Sequence, residues 1–530
     1  MSYTFQAKVG KYTYLFEGIS YRNEQGEARN RRKRIATLDQ KSGKWRYTEE
    51  YREQAKQEGL SLTNAWEENE GFSRDDIRSS TIKDYGMYYL LEGIAEQSGL
   101  LEALAQASPE RWQTIFMLAC YLLVSGDPPL YCADWLERTE NMAVGPMSSQ
   151  DISDLLADIE PEERNRFYHQ WYALRQEKEY LALDITSVSS YSELIDDVEW
   201  GHNRDGEDLK QVNICMLMGE ESRLPIYHSV YSGSLHDVST LRTTCHAFRK
   251  VTDAESILLV MDKGFYSKAN IDDMLTGGYR FLIPVKFSSS YTIDIVESVR
   301  KDMDSIENTV MAVDDGILRG MTKTKFWNDE TTLFMHVFFN TAKALKERNE
   351  LFADIAAMRI QAEANPEECS RRKEYKQYLN IRRSHTTKSG YTVHVRTSEV
   401  NKKLRTVGWL VMISNDVEDK ERAISLYRNK DVVEKGFLRL KKNLDLGRLR
   451  VHSQERAHNK VFIGFIALIL LSHIHNVMLT HNMYKDRTMK QLILTLSKLR
   501  VQTIREERIL YPVTKEQRKI YEAFGLPIPV

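Results

Sequence analysis

The sequence predicts an α/β protein, with a small antiparallel β domain at its N-terminus and an all-helical segment before the core. Three observations support this class. The first fifty residues alternate in the manner of strands, and the turn motifs "NEQGE" and "DQKSGK" separate them. From about 60 to 175 the pattern is helical and acidic. From 180 onward, apolar strands alternate with helices, as in a sheet whose faces are covered.

Basic residues gather at two places, although the formal net charge is only −2. Residues 1–50 carry eleven Lys or Arg against six Asp or Glu, and residues 401–460 carry fifteen against eight. Residues 51–160 carry seven against twenty. The densest basic run is "RNRRKR", which includes Arg31, Arg32, Lys33 and Arg34. This segregation favours a protein that binds a polyanion at two places, although patchy surface charge is common in large proteins.

Several classes of protein are disfavoured by composition. The start, "MSYTFQAKVGKYTYLFEG", lacks the basic and apolar regions of a signal peptide. The most apolar run, "VFIGFIALILLS", is shorter than a bilayer requires and predicts a buried helix. The five cysteines are odd in number and lack CxxC spacing, which argues against a disulfide framework and a zinc site. We therefore expect a cytoplasmic protein that does not contact membranes.

The individual elements follow from local patterns. In the acidic segment, "MSSQDISDLLADIEPEERNRFYHQW" predicts a helix with a Ser cap and a second helix with Pro161 in its first turn. This pair is a possible helix-turn-helix. The strands of the core are predicted by six runs: "YLALDITSVS", "LKQVNICMLMG", "LPIYHSVYSG", "SILLVMDKGF", "YRFLIPVKF" and "GWLVMISND". A further strand, "TTLFMHVFFN", and a long charged helix precede the last of them within a predicted insertion.

Two acidic residues are placed where α/β proteins bind ligands. Asp184 and Asp262 are each predicted to end an apolar strand, and neighbouring strand ends lie about 5 Å apart. Two half-buried carboxylates without an adjacent cation repel each other, and a divalent metal removes that repulsion. Hard oxygen ligands suit Mg²⁺ or Mn²⁺. The alternative is that each Asp only caps a turn or a helix.

A third acidic residue lies in "SLYRNKDVVEKGFLRLKKN", residues 425–443, which predicts one amphipathic helix. At about 100° per residue, Tyr427, Lys430, Glu434 and Lys441 fall within roughly 60° of one another. A second stripe is apolar and is predicted to be buried: Val433, Phe437, Leu440 and Leu444. Glu434 is then either a salt-bridge partner on a solvated face or a third acidic ligand.

These residues carry a family resemblance. "LALDITS", "LLVMDKGF" and "YRNKDVVEKGFLRLK" resemble the three signature regions of bacterial insertion-sequence transposases with an RNase H-like DDE core. Tyr427, Glu434 and Lys441 match the family's Y-x2-R-x3-E-x6-K signature. Lys430 stands where the family usually has arginine, which keeps the charge but loses a bidentate fork. The resemblance covers about 180–480, and the interval from Asp262 to Glu434 is typical of a subgroup with a strand-containing insertion.

The resemblance implies an RNase H-like core with a mixed sheet, interrupted by a mixed strand and helix insertion, and the activity of a DNA transposase. Asp184, Asp262 and Glu434 would be the catalytic and metal-binding residues, holding two Mg²⁺ ions (Mn²⁺ possible) about 4 Å apart. One ion would activate water or a DNA 3′-hydroxyl and the other would stabilise the leaving oxygen. Tyr427 and two lysines, Lys430 and Lys441, would position the transposon end through its phosphates.

The expected partner is double-stranded DNA, as transposon ends and as target, bound by a homodimer. The expected location is the cytoplasm, in association with the nucleoid. Two alternatives stay open: a metal-dependent DNA nuclease on the same core without strand transfer, and a non-catalytic DNA-binding protein whose carboxylates are structural.

The length of 530 residues is too great for one core. The predicted segments are a small β DNA-binding domain at 1–58, a helical domain at 59–175, the first part of the core at 176–289, the insertion at 290–405, the second part of the core at 406–480 and a C-terminal helical tail at 481–530.

One aromatic residue in the insertion has two interpretations. In "KTKFWNDETT", a strand would place Lys323, Lys325 and Trp327 on one face and would leave Phe326 to anchor the insertion's own core. Trp327 would then stack on a base flipped out at a DNA hairpin. The alternative is a tryptophan packed inside the insertion, with the lysines reaching to water.

Overall fold

The structure is a computed structural model that describes residues 2–40, 42–65, 72, 74–142, 144–175, 180–235, 237–253, 257–313, 316–328, 331–384, 387, 390–444 and 446–530. The chain forms two compact units. The first contains Met1–Thr81 and Gln502–Ile509, and the second contains Ile82–Val501 and Leu510–Val530.

The first unit is built on an antiparallel sheet, as the alternating pattern of the first fifty residues predicts. Its elements are β1 (Ser2–Val9), β2 (Tyr12–Arg22), β3 (Ala28–Leu38), β4 (Trp45–Tyr47), α1 (Glu49–Glu58) and α2 (Arg74–Arg78). The four strands pair in chain order within the described residues. The run "KWRYTEEY" is a strand only as far as Tyr47, because α1 begins at Glu49 and two glutamates occupy its first turn, where the helix dipole favours negative charge.

The second unit begins with a helical layer after one short strand. Its elements are β5 (Thr81–Asp84), α3 (Gly86–Gln97), α4 (Leu100–Ala107), α5 (Trp112–Val124), α6 (Cys132–Arg138), α7 (Ser149–Asp158) and α8 (Pro161–Ala173). The predicted pair of helices is present. Ser148 and Asp151 form a capping box at the start of α7, and Pro161 is the first residue of α8. A role of this pair in binding DNA stays a prediction.

The strands of the core follow. The chain runs through β6 (Leu181–Ser189), β7 (Gln211–Gly219), β8 (Pro225–Ser232), α9 (Asp237–Thr252), β9 (Leu258–Met261), α10 (Lys268–Thr276), β10 (Arg280–Pro284), α11 (Ser290–Val299), β11 (Thr309–Val313), β12 (Gly316–Phe326) and β13 (Thr332–Asn340). It continues through α12 (Thr341–Ala364), α13 (Pro366–Cys369), α14 (Lys373–Tyr378), β14 (Leu379–Arg383), β15 (Tyr391–Val395), α15 (Thr397–Leu404) and β16 (Trp409–Ser414).

The C-terminal part consists of α16 (Lys420–Asn429), α17 (Asp431–Lys442), α18 (Gln454–Thr480), α19 (Met489–Leu496), β17 (Arg500–Ile504), β18 (Glu507–Leu510) and α20 (Lys515–Ala523). The segment at 481–530, predicted to be a helical tail, therefore also contains two short strands. The arginine-led strand β17 has the alternating, β-branched pattern "RVQTI", which is typical of strands.

Nine strands of the described residues form the central sheet, in the order β11-β12-β13-β16-β10-β9-β6-β7-β8. The pairs β6–β9 and β9–β10 are parallel, and the other pairs are antiparallel. The predicted mixed sheet is therefore confirmed.

Three strands of the predicted insertion at 290–405, β11, β12 and β13, extend this sheet, and β14 and β15 pair in a separate two-stranded sheet. β13 pairs with β16 along six residues, and its buried side chains Leu333, Met335 and Val337 belong to the main hydrophobic core. Between β13 and β16, the segment from α12 to α15 packs around a small core of its own. The segment boundaries proposed from the sequence stay predictions.

The apolar helix α18 lies in the core. By length and composition it could cross a membrane, and the bent pair formed by α5 and residues 129–138 passes the same test. However, 78% of the most apolar stretch of α18 is buried inside the protein. Its burial in the core therefore accounts for its apolar composition, because a helix that is surrounded by core residues is apolar on all sides.

Candidate active site

Two of the predicted acidic residues are neighbours in the sheet. β6 and β9 pair in parallel with Leu183 opposite Met261, so Asp184 and Asp262 follow at the same level. Asp262 comes directly after β9, as predicted. The prediction that Asp184 ends its strand is wrong, because β6 continues to Ser189 by antiparallel pairing with β7. The β-branched residues after Asp184 favour this continuation.

The predicted single helix at 425–443 is two helices, α16 and α17, which meet at Lys430. Glu434 lies in the first turn of α17, and 61% of its side chain is exposed. The predicted apolar stripe is buried: Val433, Phe437, Leu440 and Leu444. The stripe therefore holds α17 on the core while Glu434 stays at the edge.

Gly436 allows α17 to lie close to the sheet. A Cβ atom at this position would be only 2.6 Å from Sδ of Met218 on β7. α17 also packs against β6, which carries Asp184. The close packing of helix and sheet places the first turn of α17, with Glu434, beside the acidic residues of the strands.

Lys430 links two of these acidic residues. Its side chain is buried, and its Nζ lies 3.3 Å from Oε1 of Glu434 and 4.0 Å from Oδ2 of Asp184. The two carboxylate oxygens therefore lie less than about 8 Å apart, which is close enough for both carboxylates to bind the same pair of metal ions. The ammonium supplies a positive charge between them. In this position Lys430 faces the carboxylates, and its contact with DNA stays a prediction.

Tyr427 contacts the remaining acidic residue, Asp262. Its hydroxyl donates a long hydrogen bond of 3.5 Å to Oδ1 of Asp262. Burial raises the pKa of Tyr427, and the negative charges of Asp262, Glu434 and Asp184 raise it further. The phenol therefore keeps its proton at neutral pH. The register of β6 and β9 sets Asp184 beside Asp262, and Lys430 contacts both Asp184 and Glu434, so the three carboxylates lie in one site.

Asp184 is largely buried, with 13% of its side chain exposed. Burial raises the pKa of Asp184, and the nearby Asp262 adds to this effect. Lys430, Arg204 and the backbone N–H of Ile185 act in the opposite direction. Nη1 of Arg204 lies 3.5 Å from Oδ1 of Asp184. Sequence reasoning missed Arg204, since no motif spacing relates a turn residue to the strand that precedes it.

The donor atoms of the site suit a divalent metal. Carboxylate oxygens are the ligands that Mg²⁺ and Mn²⁺ prefer, and a cation would relieve the cost of the buried charge on Asp184. Within the described part of the chain, however, no three Asp, Glu, His or Cys side chains are arranged to hold a metal ion. The ammonium of Lys430 lies between Asp184 and Glu434 instead. A metal and the ammonium of Lys430 would therefore compete for these two carboxylates.

The other predicted DNA contacts are at two places. In the second unit, Nζ of Lys441 lies 2.6 Å from Oδ2 of Asp205, and only 13% of its side chain is exposed. In the first unit, the run "RNRRKR" lies on β3 and is exposed.

The exposed run on β3 is partly ordered by aromatic and acidic neighbours. The guanidinium of Arg32 lies 5.6 Å from the ring centre of Phe16, and that of Arg34 lies 5.4 Å from Tyr14. Lys33 pairs with Glu50 at 3.1 Å. The neighbouring Arg31 is also exposed. Arginines that contact aromatic rings on a strand are more restricted in conformation than arginines in a solvated turn, which favours contact with phosphates.

Trp327 is packed and shares a face with Lys325, since both contact Tyr291; the prediction that Phe326 anchors the insertion's own core is wrong. The indole N–H donates a hydrogen bond of 2.6 Å to Oδ1 of Asp272, and the ring contacts Tyr291 edge to face. Phe326, which the alternating pattern assigns to the insertion's core, is 77% exposed. The packed interpretation of Trp327 is therefore favoured.

We expect Asp184→Asn to stabilise the metal-free protein at neutral pH. The folded pKa of Asp184 is raised, so its ionisation costs folding free energy as the pH rises from the unfolded pKa through the folded one. The amide removes that cost, and Tm should rise by roughly 1–3 °C at pH 7 in EDTA. The gain should disappear below about pH 4, where the unfolded carboxyl is protonated.

Differential scanning calorimetry across pH measures this effect. The exposed Asp208 provides a control, and Asp208→Asn should change Tm little. A lower Tm of Asp184→Asn at pH 7 would show that the contacts with Lys430 and Arg204 outweigh the burial.

We expect Lys430→Met to strengthen the binding of divalent metal to the DNA-free protein. The substitution removes the charge that competes with a metal for Asp184 and Glu434, and the affinity for Mn²⁺ should rise by about three- to tenfold. Isothermal titration calorimetry with Mn²⁺ measures it. Lys435→Met is the matched control, since Lys435 pairs with Asp431 on the same helix. Weaker binding by Lys430→Met would show that Lys430 holds the carboxylates in place for the metal.

Comparisons with known proteins complete the description of the site. No curated protein matches the chain. Among solved structures, a cryo-EM structure of the piggyBac transposase synaptic complex with hairpin DNA matches with a TM-score of 0.34 and 12% identity, over 83% of this chain and 77% of that chain. The family described as "Transposase DDE domain" matches residues 175–470, more than half of the chain, and this range contains all three acidic residues. The chain belongs to the DDE transposase family.

Proposed function

We propose that the protein is an active transposase, which cleaves DNA at transposon ends and joins those ends to target DNA. The observation that carries the proposal is the meeting of Asp184, Asp262 and Glu434 around Tyr427 and Lys430. The carboxylates come from two adjacent strands and one helix of the matched family domain. A carboxylate cluster of this kind is suited to phosphoryl transfer, which depends on positioning and on stabilisation of negative charge.

In this proposal the three carboxylates hold divalent metal, with Mg²⁺ as the physiological ion. Bound there, two ions would activate the attacking oxygen and stabilise the leaving oxygen of an in-line displacement. The protonated Tyr427 orients Asp262 through its hydrogen bond. Lys430 neutralises Asp184 and Glu434 until metal binds. The same site serves cleavage and strand transfer, since only the nucleophile changes.

Binding of the DNA is assigned to basic and aromatic side chains. We assign contacts with the phosphates of the transposon end to Tyr427, Lys430 and Lys441, and a second contact surface to the basic run on β3. The transposase is proposed to act as a homodimer on double-stranded DNA and to associate with the nucleoid in the cytoplasm.

Experiments can distinguish the proposed transposase from two other functions. A metal-dependent nuclease would cleave the ends without joining them to target DNA. A non-catalytic DNA-binding protein would do neither, and the retention of three acidic residues together disfavours it.

The activity test replaces each acidic residue separately with alanine. Asp184→Ala, Asp262→Ala and Glu434→Ala should each lower Mg²⁺-dependent cleavage of transposon-end DNA by at least about a thousandfold and leave binding of the end largely intact. A gel assay with labelled DNA carrying the sequences that flank the gene measures both cleavage and joining. Normal cleavage by any variant would remove that residue from the site.

The chain offers a matched control for this test. Asp431 lies one turn before Glu434 on α17 and pairs with Lys435. Asp431→Ala removes one carboxylate from the same helix and should retain cleavage. Cleavage without any joined product would favour the nuclease.

The basic run on β3 is tested separately through its salt dependence. A variant with Arg31, Arg32 and Arg34 changed to Gln should bind end DNA more weakly. The slope of log K against log salt should become shallower by about 0.9 for each phosphate that the variant no longer neutralises. Fluorescence anisotropy over a range of salt measures the slope. Arg46→Gln is the control, because Arg46 lies in the same sheet and pairs with Asp39. An unchanged slope in the triple variant would show that this run does not contact DNA.

A further inference from the structure

A turn between β6 and β7 supplies the contacts of three charged residues in and beside the candidate active site. Residues 203–208, named here the acidic turn, contain one arginine and three acidic residues. Arg204 contacts Asp184 at 3.5 Å, Asp205 contacts Lys441 at 2.6 Å, and Glu207 contacts Arg448 at 2.7 Å. Two basic side chains, Lys441 and Arg448, therefore form ion pairs with carboxylates of the acidic turn.

The acidic turn has a defined shape of its own. The side chain of Asn203 accepts hydrogen bonds from the backbone N–H groups of Asp205 and Glu207, at 2.9 and 3.3 Å. Gly206 has a φ of 73°, in the left-handed region that glycine adopts without strain. The turn therefore presents its two carboxylates through local bonds that do not involve Lys441 or Arg448.

Hydroxyl groups of β6 hold the acidic turn against the sheet. The backbone N–H of Arg204 donates to Oγ of Ser187 at 2.9 Å, and Oγ of Ser189 donates to Glu207 at 2.5 Å. The side chain of Asn203 also donates to Oγ of Ser189, at 3.0 Å, and the acidic turn itself contains no apolar side chain. The turn can therefore leave the sheet without disrupting the hydrophobic core.

Lys441 and Arg448 have the features of an anion-binding pair. The guanidinium of Arg448 lies 5.0 Å from the ring centre of Tyr191, which holds it flat, and Tyr191 is 73% exposed. Nη1 of Arg448 is buried and has no hydrogen-bond partner among the described residues. An arginine with unused donors beside a lysine can take a second oxyanion or exchange the present one for a phosphate.

We infer that Lys441 and Arg448 form a binding site for backbone phosphates of DNA, and that Asp205 and Glu207 occupy this site until DNA displaces the acidic turn. The inference rests on the proposed function, because it assumes that DNA reaches the candidate active site. It adds Arg448 as a phosphate-binding residue. It also gives the acidic turn a regulatory role, since the departure of Arg204 removes one of the two cations that contact Asp184.

The exchange is energetically accessible. The pairs lie near the surface: Asp205 is 41% exposed and Glu207 is 35% exposed. Ion pairs of this kind contribute little to stability and are screened by salt. A DNA strand offers one charged phosphate after another and releases its counterions on binding, whereas the turn offers two carboxylates. DNA therefore competes effectively for the same two cations.

The test measures affinity for a short fluorescein-labelled DNA duplex by anisotropy. Asp205→Asn and Glu207→Gln remove the occupants of the site and should each tighten binding by about two- to fivefold. Asp208→Asn is the matched control, because Asp208 is an exposed residue of the same turn and its replacement changes the net charge equally. The control should tighten binding by less than either variant.

A double-mutant cycle separates release of a cation from general repulsion. In a Lys441→Met background, Asp205→Asn should give no more than the gain of Asp208→Asn, because no cation remains to be released. Equal gains from all three carboxylate variants, or a gain from Asp205→Asn that survives Lys441→Met, would overturn the inference. Tm of each variant is measured in parallel, and the Asn and Gln replacements preserve the size of the side chains.

Hydrogen exchange provides a second readout on the unmodified protein. Saturating duplex DNA should raise the exchange rate of the backbone amide of Arg204, since its bond to Ser187 is broken when the turn leaves the sheet. Slower exchange with DNA would overturn the inference. The absence of any duplex binding by the wild type and by all variants would instead count against the proposed function.

Discussion

The parallel pairing of β6 with β9 is the constraint on which the candidate site depends. It sets Asp184 and Asp262 side by side at the level where β9 ends. Two carboxylates in such positions repel each other, and burial of Asp184 adds to the cost. Two cations near the pair, Lys430 and Arg204, compensate for this arrangement.

The compensation comes from elements that are far apart in the sequence. Lys430, at the junction of α16 and α17, brings a buried ammonium to Asp184 and Glu434. Arg204 approaches Asp184 from the turn after β6. The close packing of α17 on β7, which Gly436 permits, places Glu434 within reach of the same ammonium. The sheet thus brings the repelling carboxylates together, and the junction of α16 and α17 supplies the cation that does most to reduce the repulsion.

The local parts of this arrangement could be predicted from the sequence. Periodicity identified the core strands, the buried stripe of α17 and the antiparallel sheet of the first unit, because these features depend on residues close together in the chain. The resemblance to DDE transposases identified Asp184, Asp262 and Glu434, and the family match contains them. What the pattern missed depends on tertiary partners. The continuation of β6 past Asp184 requires β7, and the pairing of β13 with β16 draws the insertion into the main sheet.

The remaining differences have one physical cause, which is that a charged side chain does not identify its partner in the sequence. The sequence predicts a Lys441 that is available to DNA, and the structure pairs it with Asp205. The chain thus places its own ammonium where a metal is proposed to bind, and its own carboxylates where phosphates are proposed to bind. Without metal and DNA, these internal ions keep the site close to neutral. Under the proposed function each ligand competes with an internal ion of its own sign, and the two exchanges are linked because Lys430 and Arg204 both contact Asp184.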